Sequence, residues 1–416
     1  MYTTVIPHTL TGTVAVPASK SHTIRRLLCA LMTEGRSTLV DPLDSLDTRS
    51  CIHMCRALGA SVTVCPDRII VEGVGHPIDN THAQAIDVGN SGTTLFLGLA
   101  VASLASFPVT FTGDSQIHRR SAQHVLDALQ GLGVKVSSSN GYVPITVQGP
   151  WHGGRVSIEC PTSQYLSALL LAAPCASAVT EIEVPLLNEK PYVAMTCNYL
   201  NNQNIPYEHT EDWSFFRIPG GASYKAINGR VPADFSSAAF PAGAAALGGE
   251  PLTLEGLDYA DVQGDKILFQ WLEQMGCTVQ WNGQKVTVSR HGTLRGGTFD
   301  LNAVPDLVPI MAVLCAYAEG ESFLTNVRHA RLKETDRIAS MAAILTSLGA
   351  DCEELSDGLH IHGGKTLHGR TVDGCGDHRI VMAVAIAALK ATEAITITGS
   401  EAASVTYPGF WEMLVV

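Results

Sequence analysis

Along the chain, apolar residues recur with helical spacing, stop at a Leu-Gly or Met-Gly pair, and then alternate as in a half-buried strand. The pattern appears in CIHMCRALGASVTV, VLDALQGLGVKVSS, FQWLEQMGCTVQW and MAAILTSLGADCEE, with stops at Gly59, Gly133, Gly276 and Gly349. Glycine suits such a stop because a helix commonly ends on a left-handed residue, which a side chain disfavours. The first two and the last two stops lie about 70 residues apart, and the interval between them is about twice that. A degenerate copy, AMTCNYLNNQNIPYE, fills the gap, with Asn201 where the glycine is expected; asparagine is the next-best left-handed residue.

Six units of about 70 residues account for all 416 positions, the mark of an internal repeat. The terminal FWEMLVV predicts a sixth helix with no strand after it, and the N-terminus can supply the missing strand. The expected architecture is α/β with two domains of three βαβ-type units each. Residues 1–18 with 231–416 form one discontinuous domain, and 19–230 form the inserted second. A single array without two lobes is the alternative.

Composition narrows the function. Hydrophobic residues make up 46% and charged residues 16%, with a net charge of −12. The chain is therefore globular, and its charge argues against a nucleic-acid or anionic-membrane partner. No apolar run reaches the length of a membrane helix; the nearest, YLSALLLAAPCASAV, is short and broken by proline and serine. Met1 runs straight into a strand-like TVIPHTLTGTVAVP without a leader-like segment. The eleven cysteines, mostly in apolar runs and without C-x-x-C spacing, read as reduced thiols of a cytoplasmic protein.

Several strongly apolar helices open on small polar clusters: ASKSHTIRRLLCALM, VGNSGTTLFLGLAVASL, CPTSQYLSALLLAAP and ADFSSAAFPAGAAAL. Each alone reads as an N-cap. Four together, with Lys20, Arg25, Arg120, Lys333, Arg337 and Arg379 at or near such segments, point to a small, multiply anionic ligand held at helix starts. The charged knot in LKETDRIASM belongs to this set. HGGKT at 362–366 lacks the first glycine of a P-loop, since 359 is leucine. His360, His362 and His368 show no matching carboxylate or cysteine, so no metal site is expected.

With KETDR, GDHR, SKS, GNSGT and TSQYL in one chain, the sequence resembles the enolpyruvyl transferases over nearly its full length. Its likeness is to members acting on shikimate 3-phosphate. The sister members acting on UDP-N-acetylglucosamine carry Lys-Asn where this chain has Lys20-Ser21, and a catalytic-loop cysteine with no counterpart around FTGDSQIHRRSAQ. The resemblance implies a two-domain enolpyruvyl transferase-like fold with the active site in the interdomain cleft. The reaction implied is transfer of the enolpyruvyl group of phosphoenolpyruvate (PEP) to the 5-hydroxyl of shikimate 3-phosphate, releasing phosphate, a step of aromatic amino acid biosynthesis. It implies no cofactor or metal, and a cytoplasmic monomer whose partners are these small-molecule substrates.

By resemblance, Glu334 is the proton donor and Asp306 the base, while Lys20 meets the PEP phosphate and shares in proton transfer. Arg337 and Arg379 grip the PEP carboxylate; Arg120, Asn90, Gly92, Gln164 and His378 complete the PEP set. For the acceptor, Ser21 and Arg25 match the carboxylate grip, Thr162 and Ser163 the sugar-phosphate site, and Gln164 lies under the ring. Lys333 and His329 match hydroxyl contacts, and Tyr192 and Asp306 also belong to this set. Asp47 and Asp234 match supporting residues. Arg337, three residues beyond Glu334, is expected on the same helix face; Asp306 doubles as a candidate N-cap.

Three positions depart from the family pattern. Val405 in SVTYPGF replaces a lysine, Phe96 an arginine, and Glu189 in NEKPYV a phosphate-binding serine. The site expected from the resemblance is three charges more negative for it, and each lost phosphate contact costs roughly 1.5–3 kcal/mol. A paralogue using another hydroxylated acceptor and a non-catalytic binding relative are therefore alternatives at this point.

Overall fold

The computed structural model describes residues 1–78 and 85–414 and contains helices and strands throughout both ranges. The chain divides into two compact units, Met1–Pro17 with Pro232–Val416, and Ala18–Val231.

The Ala18–Val231 unit holds three four-stranded sheets of one strand order. One runs Asn228–Arg230, Glu34–Val40, Arg68–Val74, Ser61–Val64. The next runs Ile86–Asp87, Val109–Thr112, Tyr142–Gln148, Lys135–Ser139, and the third Gly154–Ser157, Thr180–Glu183, Phe215–Ile218, Glu208–His209. In each, the first pair is parallel and the others antiparallel. A parallel pair needs a crossover; in the second and third sheets a helix supplies it, Gly92–Ala102 and Ser163–Ala172. Every residue of Gly92–Ala102 is buried, as an all-apolar helix requires. It packs against Ser163–Ala172 and Lys20–Leu31 at the centre of the unit.

The other unit repeats the plan. Gly12–Ala15, Leu252–Glu255, Lys285–Arg290, Cys277–Asn282 form one sheet, and Thr298–Asp300, Glu321–Thr325, Gly358–His362, Asp351–Leu355 another. The third has three strands, Thr371–Asp373, Ile395–Thr398 and Tyr2–Val5. Its central helices, Phe235–Gly248, Val308–Tyr317 and His378–Ala388, pack together in one apolar cluster. The N-terminal segment serves two sheets. Tyr2–Val5 runs antiparallel to Ile395–Thr398, and Gly12–Ala15 lies parallel to Leu252–Glu255. The terminal helix is the short Phe410–Met413; residues 415 and 416 of the FWEMLVV segment lie outside the described residues.

Gly59, Gly133, Gly276 and Gly349 all have φ between 88° and 104°. At the first, Gly59 N donates to Arg56 O and Ala60 N to Cys55 O, both at 3.0 Å, the paired bonds of a Schellman stop. The middle repeat corrects the expectation for Asn201. That residue lies inside the helix Lys190–Asn202, and the left-handed residue is Asn204, φ 55°. Asn204 N donates to Asn201 O and Ile205 N to Leu200 O at 2.9 Å, the same two bonds. Propensity alone does not distinguish the asparagines at 201, 202 and 204; the strand register after the turn does.

Replacing Asn204 with glycine relieves a left-handed side chain, while Gly133→Ala imposes one at a cost of about 1–2 kcal/mol. Chemical denaturation followed by circular dichroism is expected to show Asn204→Gly at or slightly above the parent midpoint and Gly133→Ala clearly below it.

Candidate functional site

Within Ala18–Val231, the polar helix starts carry most of the expected site residues. Ser19 caps the helix Lys20–Leu31, so Lys20 begins it. Lys20 Nζ lies 3.1 Å from Asp47 Oδ2 and both side chains are largely buried. Asp47 stands in the first turn of Leu46–Ala57, whose start is closed by a reciprocal Ser45–Thr48 box; the helix dipole favours its carboxylate there. Arg25, one turn beyond Ser21, is 2% exposed. Its guanidinium donates to Thr196 Oγ1 (2.9 Å), Tyr192 O (3.1 Å), Ser21 O (3.3 Å) and Ser167 Oγ (3.4 Å). Burial lowers its pKa to about 10, against weaker opposing effects of the nearby tyrosines and cysteines. Thr196 and Ser167 were not expected from sequence, because single hydroxyls on apolar helices carry no signal.

At the second helix start, Ser91 accepts from Thr94 N. A β-carbon on Gly92 would come within 2.4 Å of Arg120 Nη1, so glycine is what lets the guanidinium lie against the helix start. Beside it, Asn90 Nδ2 donates to Gln116 Oε1 at 2.7 Å, while Asn90 Oδ1 and Gln164 Oε1 are buried without a hydrogen bond. Phe96 is a core residue, edge-to-face with Tyr165 at 5.2 Å.

The third helix start holds an anion of the protein's own. Thr162 caps Ser163–Ala172, and Glu189 Oε2 accepts from Ser163 Oγ (2.7 Å), Ser163 N (3.1 Å) and Thr162 Oγ1 (3.3 Å). Glu189 is 2% exposed and left-handed, φ 59°.

In the other unit, Arg337 is the centre. It is 1% exposed and begins the helix Arg337–Ser347, capped by Asp336. Its Nη1 donates to Asp306 Oδ1 and its Nη2 to Glu334 Oε2, both at 2.7 Å, and its Nε donates to Asp377 Oδ2 at 2.8 Å. Burial alone would lower its pKa, but Asp377, Glu334 and Asp306 together hold it well above the ordinary value. Arg379 Nη2 meets the other oxygen of Asp306 at 2.7 Å. Two expectations need correction. Glu334 is not on the helix but in the turn before it, and reaches Arg337 because that turn folds back. Asp306 is not the N-cap of Val308–Tyr317, which is Leu307: it sits in the short turn Pro305–Leu307, and its side chain bridges two arginines.

Asp377, fully buried, was not singled out as a site residue from sequence. It lies within the GDHR motif, caps His378–Ala388 by accepting from Arg379 N at 2.8 Å, and also holds Arg337. His378 begins that helix and is buried. His329 Nε2 lies 3.1 Å from Asn302 O, and Lys333 follows the turn Arg328–Leu332. Asp234 caps Phe235–Gly248 by accepting from Ser237 N. His360 and His362 do have a carboxylate nearby, contrary to expectation: sheet register sets Glu321 opposite His362, 3.3 Å away. That trio lies apart in sequence from both clusters and shares no residue with them.

Asp377→Ala is expected to destabilise the protein by about 3–5 kcal/mol, because it leaves a buried guanidinium short of one counter-charge. Asp377→Asn keeps an equivalent cap and should lose less. Denaturation midpoints of the two variants check this.

Comparison with known proteins places these residues in context. The family model described as EPSP synthase (3-phosphoshikimate 1-carboxyvinyltransferase) matches residues 5–414. A 3-phosphoshikimate 1-carboxyvinyltransferase of Acetivibrio thermocellus is 44% identical over 405 residues, 97% of this chain and 95% of that protein. One from Methanocorpusculum labreanum is 40% identical over 403 residues, 96% and 94% of the two chains. Among solved structures, an EPSP synthase from Acinetobacter baumannii superposes with a TM-score of 0.81 at 25% identity, covering 99% of this chain and 97% of that one.

Proposed function

Since the chain belongs to the EPSP synthase family, we propose that it transfers the enolpyruvyl group of PEP to the 5-hydroxyl of shikimate 3-phosphate with release of phosphate, and that both clusters serve this one reaction. The observation that carries the assignment of residues is the buried group in which Arg337 and Arg379 share Asp306, with Glu334 on Arg337. The reaction needs an acid for the methylene carbon of PEP, a base for the acceptor hydroxyl, and cations for the PEP carboxylate. That group contains a candidate acid, Glu334, a candidate base, Asp306, and two cations.

In this reading Glu334 protonates the methylene carbon as the acceptor oxygen bonds to C2. It takes a proton back from the resulting methyl group as the C2–O bond to phosphate breaks, which restores the double bond of the enolpyruvyl group. Its hydrogen bond to Arg337 fixes the carboxyl's direction, and a preset direction lets proton transfer proceed without reorganisation. Asp306 accepts the hydroxyl proton, and Arg337 and Arg379 grip the PEP carboxylate beside it. His378 stands at the same helix start as Arg379. Lys20 and Arg120 stabilise the departing phosphate, with Asn90, Gly92 and Gln164 beside PEP. The buried, unbonded oxygens of Asn90 and Gln164 support a ligand at that place, since buried polar atoms are ordinarily bonded. Arg25 and Ser21 hold the acceptor carboxylate, Lys333, His329 and Tyr192 its remaining polar groups, and Thr162 and Ser163 its phosphate. No helix of the described residues is long and apolar enough to cross a membrane. The eleven free cysteines support a reducing, cytoplasmic setting, and the burial of each unit's apolar helices within that unit supports a monomer.

Incubation with PEP and shikimate 3-phosphate is expected to release inorganic phosphate; a folded protein that releases none contradicts the acceptor. Glu334→Gln retains an acceptor for Arg337 but cannot supply the proton. Turnover should fall roughly 10²–10⁴-fold while PEP binding, followed by calorimetry, changes little.

Val405, half-buried in the turn Ser400–Val405, provides a second test. Two further cations, Arg26 and Arg119, neighbours in sequence of Arg25 and Arg120, donate to backbone carbonyls within their own unit, Gly229 O and Ser115 O. Val405→Lys is therefore expected to lower the Michaelis constant for PEP and raise kcat, together by about tenfold or more, given what one charge-assisted contact contributes in a transition state. Steady-state kinetics with PEP varied checks both.

A further inference from the structure

Thr162 and Ser163 present a donor set that suits a phosphate oxygen: two hydroxyls and a backbone N–H at the start of a ten-residue helix. All three donors converge on one oxygen of Glu189. The residue pays for this by standing in the left-handed region, φ 59° and ψ 38°, where a side chain is disfavoured. Its backbone is thus held in a conformation that presents the carboxylate to those donors. Of its chain neighbours, Lys190 donates its Nζ to Asp212 O at 3.2 Å, and Asn188 Nδ2 donates to Pro161 O, beside Thr162, at 3.4 Å.

We propose that Glu189 is a tethered carboxylate that occupies the acceptor-phosphate subsite of the free enzyme and has to leave it before shikimate 3-phosphate seats. This rests on the functional reading above, which assigns Thr162 and Ser163 to the acceptor phosphate. A carboxylate and a phosphate cannot share the same three donors: the oxygens would overlap, and like charges at hydrogen-bonding distance repel strongly in a buried place. The phosphorylated acceptor therefore binds by exchange, breaking the Glu189 bonds and remaking them to phosphate. The exchange raises the Michaelis constant for shikimate 3-phosphate and narrows the preference for it over unphosphorylated shikimate. It also keeps the three donors bonded when no substrate is present. Glu189 is a specificity-determining residue in this account and takes no part in proton transfer.

The test compares the full-length parent with Glu189→Ser and Glu189→Gln. Serine is too short to reach the donors, and glutamine keeps an acceptor without the charge. Glu189→Ser is expected to lower the Michaelis constant for shikimate 3-phosphate at least tenfold, with a smaller change in kcat, and Glu189→Gln to fall between it and the parent. The constant for shikimate itself should not fall. Inorganic phosphate, titrated as a probe in thermal melts, should stabilise Glu189→Ser at concentrations that leave the parent unshifted. A Michaelis constant for shikimate 3-phosphate that is unchanged or raised in Glu189→Ser, with phosphate acting equally on both proteins, overturns the proposal. If the serine variant does not fold, the same two readouts on Glu189→Gln decide. If the parent does not turn over shikimate 3-phosphate, the functional reading fails, and the phosphate titration alone still decides whether Glu189 blocks an anion subsite.

Discussion

A guanidinium out of water requires counter-charge within hydrogen-bonding distance, and Arg337 obtains it from three separate stretches of chain. Asp306 comes from the turn before Val308–Tyr317, Glu334 from the turn before Arg337's own helix, and Asp377 from the cap of His378–Ala388. Desolvating the ion is costly, and removing any one partner leaves an uncompensated buried charge. The turn at 333–336 is fixed at its other end by Asp336, which caps the helix and pairs with Arg331 at 2.8 Å. The candidate acid, base and carboxylate-gripping arginines are thus all tied to one buried ion.

The same economy recurs across the chain. Lys20 is paired with Asp47, Arg379 with Asp306, and the helix start at Ser163 with Glu189. These three candidate anion-binding groups are each matched, in the absence of substrate, by a carboxylate of the protein itself, whereas Arg25 is held by hydroxyls and backbone carbonyls. Such pairing holds long cationic side chains in place and spares buried donors from going unbonded. On the proposed assignment of these residues, anionic substrates bind by competing with internal anions, so affinity depends on how readily each carboxylate can be displaced or turned to use. For Asp306, proposed as the base, turning toward a substrate is itself useful. For Glu189 it is only a cost.

The repeat supplies the scaffold for these pairings. Helices that begin with a polar cluster and continue fully apolar must bury their shafts, and packing three such shafts together in each unit leaves their starts as the places where polar groups gather. Gly92 shows how closely this was built, since its missing side chain is the space in which Arg120 lies.

Much of this was legible in the sequence. The stops at Gly59, Gly133, Gly276 and Gly349 and the switch from helical to alternating spacing set out the repeat, because backbone sterics and amphipathic period act locally. The motifs around Lys20, Asn90, Thr162, Glu334 and Arg379 marked chemistry, because residue types at short spacing determine which charges a helix start can carry. What the sequence could not determine was which partner each charge takes. Asp306 read as a possible cap, Glu334 as a helix neighbour and Glu189 as a missing phosphate ligand, while Asp377, within GDHR, had no role of its own. The contacts of Asp306, Asp377 and Glu189 were decided across the fold, joining residues 26 to 40 positions apart, and that of Glu334 by the local turn before the helix. A buried ion's partner is chosen by which elements the apolar core brings together, and that choice belongs to tertiary packing.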